Sequence, residues 1–303
     1  MKIASLLFAF SNAANVCYNN VGCFTDDPPF SVNGYRPRRL PQSPNDVLTG
    51  MFITNSKNRV ERAVNWQSVN EGLFETNKKV VVMTHGWTDE YDDKSFMTKA
   101  RDNFLNHQSV NFISVDWSKG SQNLDYFQSA ADTQTVGRTI AKMLSQLSIR
   151  SSDFTCVGHS LGGHVCSYAA KYLKSEFRKT MGQVVGMDPA GPTFERTTAE
   201  VRIDHTDATF VQIIHSNGGD EDAGFLGMNA AFGHADFYPN GGVRQPGCNN
   251  FVCDHGEAPK MYVDSITHNG CNIPVCSKSN YDAGRCTNCL SGCNRMGWNV
   301  KGF

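Results

Sequence analysis

The sequence lacks a charge imbalance, a membrane-spanning stretch and an internal repeat. Its 28 lysines and arginines nearly balance its 29 aspartates and glutamates, so the formal net charge is −1. This balance gives no sign of nucleic-acid binding, because nucleic-acid-binding domains carry basic surfaces. No apolar run is long enough to cross a membrane. The Asn-x-Ser/Thr pattern of N-glycosylation is also absent, which neither supports nor opposes secretion.

The N-terminus differs in composition from the rest of the 303 residues. Lys2 is followed by an apolar stretch, residues 3–10, and then by the small residues at 11–14. This order predicts a signal peptide over residues 1–13 and a secreted protein; the alternative is an N-terminal strand. The remaining residues, 14–303, suffice for a single α/β domain with a large core.

Eleven cysteines are present, and a secreted chain rich in cysteine favours disulfides. Cys286 and Cys289 have the spacing of half a zinc site. No matching pair of cysteines or histidines supplies the second half, so we expect disulfides there instead. Cys156 and Cys166 lie on faces that look buried. We expect them to be packed free thiols, with a bridge between them as the alternative.

Apolar segments alternate between strand and helix character along the first two thirds of the chain. The pattern predicts strands at 78–84, 111–117, 153–157, 183–188 and 208–215, and helices at 126–147 and 163–173. Nearly continuous apolar strands separated by helices are typical of a mostly parallel sheet covered on both faces. Beyond residue 216 the composition turns rich in Gly, Asn and Cys, which predicts loops over the carboxyl edge of that sheet.

Residues 158–162 spell Gly-x-Ser-x-Gly between the third predicted strand and the second predicted helix. A serine on such a sharp turn exposes its hydroxyl at the edge of the sheet, and the helix start directs amides toward it. We therefore interpret Ser160 as the nucleophile of a serine hydrolase. The alternative is a chance match in a glycine-rich turn.

A serine nucleophile needs a histidine base and a carboxylate that orients the histidine, in the chain order Ser, acid, His. Asp188 ends the fourth predicted strand and fits the acid; the alternative is an Asx-turn residue. Five histidines follow it: His205, His215, His234, His255 and His268. His255 is favoured because it directly follows Cys253 and Asp254, in a short loop that a disulfide could anchor; His234 is the second choice.

Two backbone amides are candidates for the oxyanion hole, the pair of donors that stabilises a tetrahedral intermediate. One is the amide of Leu161, directly after the serine. The other is the amide of Trp87, because His85-Gly86-Trp87 directly follows the first predicted strand. A plain turn at the strand end is the alternative for this second segment.

Taken together, these segments resemble the N-terminal catalytic domain of the pancreatic lipase family. The matching stretches span most of the chain: 16–18, 22–24, 26–27, 85–87, 115–117, 158–164, 186–190, 233–234, 236–237, 239–242, 245–248 and 253–255. The resemblance implies an α/β-hydrolase fold, the triad Ser160, Asp188 and His255, and the amides of Trp87 and Leu161 as oxyanion hole. In a departure from the family, we expect no C-terminal β-sandwich domain, because the sequence stops just after Cys293; family members dock colipase on that domain, so such docking is not expected.

The resemblance further implies disulfides and a structural calcium ion. The implied disulfide pairs are Cys17–Cys23, Cys248–Cys253, Cys276–Cys286 and Cys289–Cys293, with Cys271 left without an assigned partner. Asp204 and Asp207 would supply carboxylate ligands and Arg202 a carbonyl, which suit calcium. Glu200 fits least, because the chain is one residue shorter there. The alternative is a solvated acidic turn, and no cofactor is required for the chemistry.

In the family, a helical lid between two cysteines covers the active site. Here only four residues lie between Cys248 and Cys253. We therefore expect an open site with little activation at interfaces. In the family a short lid goes with activity on phospholipids or galactolipids, whereas a long loop such as 216–233 goes with triglyceride use.

The expected function is that of a secreted carboxylic ester hydrolase acting on acyl glycerolipids at interfaces or in micelles. A triacylglycerol lipase and a phospholipase A1 are weighted equally. The rival is a non-catalytic lipid-binding or yolk-type protein on the same fold.

Overall fold

A computed structural model describes residues 14–268, 272–286, 288–289 and 292–301. The predicted signal peptide and Cys271 lie outside these residues. None of the helices that the structure describes combines the length and the apolar character needed to cross a membrane.

The described residues form twelve strands in three sheets. The strands are β1 (Asn15–Tyr18), β2 (Gly22–Thr25), β3 (Gly50–Thr54), β4 (Arg62–Ala63), β5 (Lys79–Thr84), β6 (Val110–Asp116), β7 (Phe154–His159), β8 (Gln183–Met187), β9 (Phe210–Ile214), β10 (Ala235–Phe237), β11 (Asn272–Pro274) and β12 (Cys293–Arg295). β1 pairs with β2 and β11 with β12, each antiparallel. The remaining eight form the central sheet, in the order β10-β9-β8-β7-β5-β6-β3-β4.

The central sheet is parallel from β10 to β6, β3 pairs antiparallel with β6, and β4 pairs antiparallel with β3. Eight α-helices accompany it in the described residues: α1 (Pro44–Val47), α2 (Phe96–His107), α3 (Ser118–Ser121), α4 (Tyr126–Ser145), α5 (Leu161–Phe177), α6 (Phe251–His255), α7 (Glu257–Thr267) and α8 (Lys278–Asp282). The predicted α/β-hydrolase fold, with a mostly parallel central sheet, is confirmed.

The core lies on both faces of the sheet, because successive strand residues point to opposite sides. On β5, Val80 and Val82 belong to the apolar cluster that includes α4 and α5. Val81 and Met83 belong to the other cluster, which includes α2 and α7. Helices therefore cover both faces, and polar ligand sites are left to the carboxyl edge of the strands.

The prediction of loops beyond residue 216 was incomplete. That region also contributes β10, which extends the sheet beside β9, and the helix α7. Ala258, Tyr262 and Ile266 share one face of α7 and are buried against the sheet. Pro259 is tolerated because it lies in the first turn of the helix, where no helical hydrogen bond is lost.

The described residues contain five disulfides, and four of them are the pairs that the resemblance implied. The fifth joins Cys156 to Cys166, so the expectation of packed free thiols was wrong. Cys156 lies on β7 and Cys166 on α5, and the turn between them folds the helix back against the strand. Their Cα atoms are thus 5.4 Å apart, within disulfide range.

Candidate active site

Ser160 lies on the turn that joins β7 to α5. Its backbone has φ 55° and ψ −124°, a conformation that residues other than glycine rarely adopt. The Ser160 amide donates to the Met187 carbonyl at 3.1 Å, and the Ser160 carbonyl accepts from the Gly163 amide at 3.0 Å. These bonds hold a strained turn that presents the serine at the carboxyl edge of the sheet.

Asp188 directly follows β8 and is fully buried. Its Oδ1 accepts hydrogen bonds from the Ser216 amide at 2.8 Å and the Asn217 amide at 3.1 Å. Its Oδ2 lies 2.6 Å from Nδ1 of His255. The structure thus brings together the predicted acid and base, and fixes the carboxylate with two amides that sequence reasoning missed.

Gly227 is a second feature near Asp188 that sequence reasoning missed. A methyl group at this position would overlap the Asp188 carboxylate. The Gly227 amide donates to the Asn217 carbonyl at 3.1 Å, which brings this part of the loop 216–233 against the aspartate. Only its glycine-rich composition hinted at such a close approach.

His255 ends α6, a one-turn helix that several contacts anchor. Asn250 caps the helix by accepting from the Cys253 amide at 2.9 Å. The buried Asp254 carboxylate accepts from Nη1 of Arg244 at 2.9 Å and from the Gln245 amide at 2.7 Å. These contacts, with the Cys248–Cys253 disulfide, fix the backbone that carries the imidazole.

Nε2 of His255 remains available. Among the described residues, no hydrogen bond joins this nitrogen to the Ser160 hydroxyl or to any other protein group. Ser160 and His255 are 9 % and 7 % exposed, so both are largely buried but keep a small contact with solvent. Hydrogen bonds of this kind are often unformed without substrate and tighten only when it binds.

His159, next to the serine, contacts the base directly. Its ring centroid lies 4.5 Å from that of His255, and its Nε2–H donates to the His255 carbonyl at 3.1 Å. Burial, and then the neighbouring His255 ring, lower the pKa of His159 well below its ordinary value. His159 therefore stays neutral and places no positive charge beside His255.

Gly86 lies directly against the nucleophile. A Cβ atom at Gly86 would come within 2.7 Å of the Ser160 Cβ and 3.2 Å of its Oγ. The next amide, that of Trp87, and the amide of Leu161 donate to no protein acceptor in the described part of the chain. Both proposed oxyanion donors are therefore free to bind a substrate oxygen.

The other histidines are engaged elsewhere. His234, the second choice from spacing, accepts a hydrogen bond at Nδ1 from the Val211 amide. Val211 lies at the start of β9, so His234 is far from the carboxyl ends of the strands. His215 is fully buried, with Nδ1 bonded to the Met228 carbonyl and Nε2 to Asp236. Of the five histidines after Asp188, His255 contacts this aspartate.

The residues expected to bind calcium do not form an open site. The Arg202 carbonyl and Asp207 both contact the ammonium of Lys171, at 2.9 Å and 2.5 Å. Asp204 is paired with the Arg202 guanidinium at 2.7 Å. Glu200 is exposed. Because cations of the protein already occupy these oxygens, the arrangement does not fit calcium.

Comparisons with known proteins identify the family of the chain. The model of the Lipase family matches residues 14–303. The chain belongs to this family. It is 34% identical to human (Homo sapiens) pancreatic triacylglycerol lipase over 97% of this chain and 68% of that protein. It is 32% identical to pancreatic lipase-related protein 2 of Cavia porcellus, over 94% of this chain and 67% of that protein.

One relative in this lipase family is named as inactive. The chain is 32% identical to inactive pancreatic lipase-related protein 1 of Canis lupus familiaris, over 97% of this chain and 68% of that protein. Family membership alone therefore does not decide whether a member is catalytic. The decision falls to the residues of the site itself.

Proposed function

We propose that the protein is a secreted carboxylic ester hydrolase that cleaves acyl glycerolipids through an acyl-enzyme on Ser160. The observation that carries this proposal is the 2.6 Å contact between Asp188 and Nδ1 of His255, which leaves Nε2 free beside a strained serine turn. An aspartate in this position fixes the tautomer of the histidine and stabilises its charged form.

In the proposed reaction, the Ser160 hydroxyl attacks the ester carbonyl while Nε2 of His255 takes its proton. The amides of Trp87 and Leu161 stabilise the negative oxygen that forms. Collapse of this intermediate expels the alcohol, which receives the proton from His255, and leaves the acyl group on Ser160. Water then attacks the acyl-enzyme by the same steps and releases the fatty acid.

The surroundings of the site support a lipid substrate. Trp87, Leu124 and Phe127 are exposed large apolar side chains at the same end of the sheet, and the Trp87 indole donates to the Asn123 carbonyl at 2.8 Å. Val252, three residues before His255, is 73 % exposed. Exposed apolar residues on two sides of a reactive serine suit contact with a lipid surface.

The lid region supports a broad substrate range. The segment between Cys248 and Cys253 contributes only the first residues of the one-turn α6. The long loop 216–233 is drawn toward the body of the protein: Glu221 contacts Arg196 at 3.2 Å and the Tyr35 hydroxyl at 3.2 Å. We therefore propose that both triacylglycerols and phospholipids reach the serine, the latter as in a phospholipase A1.

Secretion is part of the proposal. Five disulfides, in the described residues alone, favour an oxidising compartment. N-terminal sequencing of the protein recovered from culture medium would test this, with a start at residue 14 as the expected result.

The activity is tested by parallel assays on a soluble short-chain ester, a triglyceride emulsion, phosphatidylcholine vesicles and a galactolipid. Release of fatty acid from glycerolipids is expected from the wild type, and its loss from Ser160→Ala. Ser175→Ala is the matched control, because Ser175 is exposed on α5, far from the turn. Equal turnover by Ser160→Ala and the control, or an inert wild type, would overturn the proposal.

A further inference from the structure

The loop that follows the candidate acid is tied to α5 by a lysine. Nζ of Lys171 lies 2.9 Å from the Arg202 carbonyl, 2.5 Å from Oδ1 of Asp207 and 2.5 Å from the Ser167 hydroxyl. The Asp207 side chain is only 1 % exposed, so its charge depends on this partner. One ammonium thus gathers a carbonyl, a carboxylate and a hydroxyl, the oxygen types that bind a hard metal ion.

The remaining oxygens of the loop are also engaged by the protein. Oδ2 of Asp207 accepts the Asp204 amide at 3.0 Å. Oδ1 of Asp204 accepts the amide and the hydroxyl of Thr206, at 3.1 Å and 2.9 Å, and Oδ2 accepts from Arg202. Two carboxylates therefore face two protein cations, and the cluster is neutral on its own.

A divalent ion could not join this cluster without displacing part of it. Calcium requires about six to eight oxygens at roughly 2.3–2.6 Å. To reach the Arg202 carbonyl and Asp207 it would have to take the place of the Lys171 ammonium. It would also lie close to two positive groups, which repel it.

We propose that the ammonium of Lys171 takes the place of a metal ion in this protein, so that the loop 202–207 is held without calcium. The neighbouring contacts of α5 serve the same purpose. His164, about two turns closer to the nucleophile than Lys171, accepts the Ile203 amide at Nδ1 at 3.2 Å. Its Nε2–H donates to the Ala190 carbonyl at 2.9 Å, two residues after Asp188.

The Lys171 ammonium is therefore linked through α5 to the carboxyl edge of the sheet, where the candidate active site lies. His164, Ser167 and Lys171 lie on one face of α5, whose first residue follows Ser160. This face holds both the loop 202–207 and the turn after Asp188. A metal ion bound by the expected ligands would hold only the loop, whereas the side chains of α5 contact both segments.

The test compares wild type, Lys171→Met and Lys174→Met by thermal unfolding in EDTA and in millimolar calcium. Lys174 is the matched control, because it lies on the same helix and is exposed. Equilibrium dialysis with radioactive calcium measures binding to the wild type and to Asp207→Asn.

We expect the melting temperature of the wild type to be the same with and without calcium. We expect Lys171→Met to melt about 5 °C or more below the wild type, because Asp207 is left buried without a partner, and Lys174→Met to melt close to it. Dialysis should find no calcium on the wild type that Asp207→Asn removes.

Either of two results would overturn the proposal. One is a wild-type melting temperature that calcium raises, together with one equivalent of bound calcium that Asp207→Asn abolishes. The other is a Lys171→Met protein as stable as Lys174→Met. Should Lys171→Met not fold, the wild-type melting and dialysis measurements decide alone. Neither measurement depends on the proposed catalytic activity.

Discussion

Two of the aspartate–histidine pairs at the carboxyl edge of the sheet differ in how many ring nitrogens the histidine has available. His255 contacts Asp188 through Nδ1 at 2.6 Å and keeps Nε2 free of protein partners in the described residues. His215 contacts Asp236 through Nε2 at 2.9 Å, and its Nδ1 is bonded to the Met228 carbonyl. His215 is also fully buried, whereas His255 keeps a small contact with solvent.

A histidine beside an aspartate is therefore not sufficient to identify a general base. A general base needs a free ring nitrogen that faces the substrate. A histidine with both nitrogens bonded inside the protein instead stabilises the fold. The two pairs should therefore respond in opposite ways to the same substitution.

The largest expected effect separates the two histidines directly. His255→Gln should lower kcat/KM for a soluble ester by about 10⁴-fold or more, with little change in melting temperature, because the base is lost. His215→Gln should lower the melting temperature and leave kcat/KM of the folded protein within about tenfold of wild type. Steady-state kinetics and thermal unfolding of both variants check this, and equal losses of activity would break the distinction.

A smaller effect is expected from methyl groups placed next to each pair. Gly227→Ala would push against Asp188 and should reduce kcat/KM at least about a hundredfold, since the carboxylate orients the base. In Gly242→Ala the new methyl group would come within 2.7 Å of the Tyr238 ring, which stacks on His215, and should act mainly on stability. Kinetics at a temperature where both variants are folded would test this. The expectation fails if Gly242→Ala is the less active of the two.

The exposed apolar side chains near Asp188 and His255 should contribute less to activity. Leu124→Ser should lower the rate on lipid vesicles by about tenfold, because an apolar contact with the lipid is lost, and should leave the soluble ester unaffected. Val60→Ser is the control, since Val60 is 79 % exposed beside β4, the outermost strand of the sheet. An equal loss of the rate on vesicles in both variants would argue against a specific contact of Leu124 with the lipid.

The smallest expected effect is the pH dependence of stability that arises from the buried pair His215 and Asp236. Burial alone would lower the pKa of His215, but the hydrogen bond and charge of Asp236 raise it above its ordinary value. A raised folded-state pKa stabilises the fold below the unfolded value, and this contribution is lost as pH rises through the folded value. The free energy of unfolding should therefore fall as the pH rises above roughly 6.5.

This pH dependence is measured by urea unfolding at a series of pH values, with Asp236→Asn as the comparison. The variant should lose the decline, because its histidine no longer has a charged partner. A decline of the same size in both proteins would assign it to other groups.

Local sequence signals predicted much of the candidate site. The turn at Ser160 and the strand ending before Asp188 are defined by neighbouring residues, and the structure has both. His255 could be favoured but not separated from His234 by spacing. Only the fold shows that His234 contacts Val211 at the start of β9.

The features that could not be predicted from the sequence depend on contacts between segments that lie far apart in the chain. The amides that hold Asp188 carry no side-chain signal, and the Cys156–Cys166 disulfide forms because the serine turn folds α5 back onto β7. The expectation for the acidic loop failed to include Lys171, because it lies more than thirty positions before Asp207 on a helix. Such contacts exist only once the sheet is assembled.

The proposed reaction depends on Ser160 as an activated nucleophile. This is measured by treating the folded protein with an alkyl fluorophosphonate and locating the adduct by mass spectrometry of peptides. We expect one adduct per chain, on the peptide that contains Ser160, and none in Ser160→Ala. An unlabelled wild type, or labelling that persists in Ser160→Ala, would contradict it.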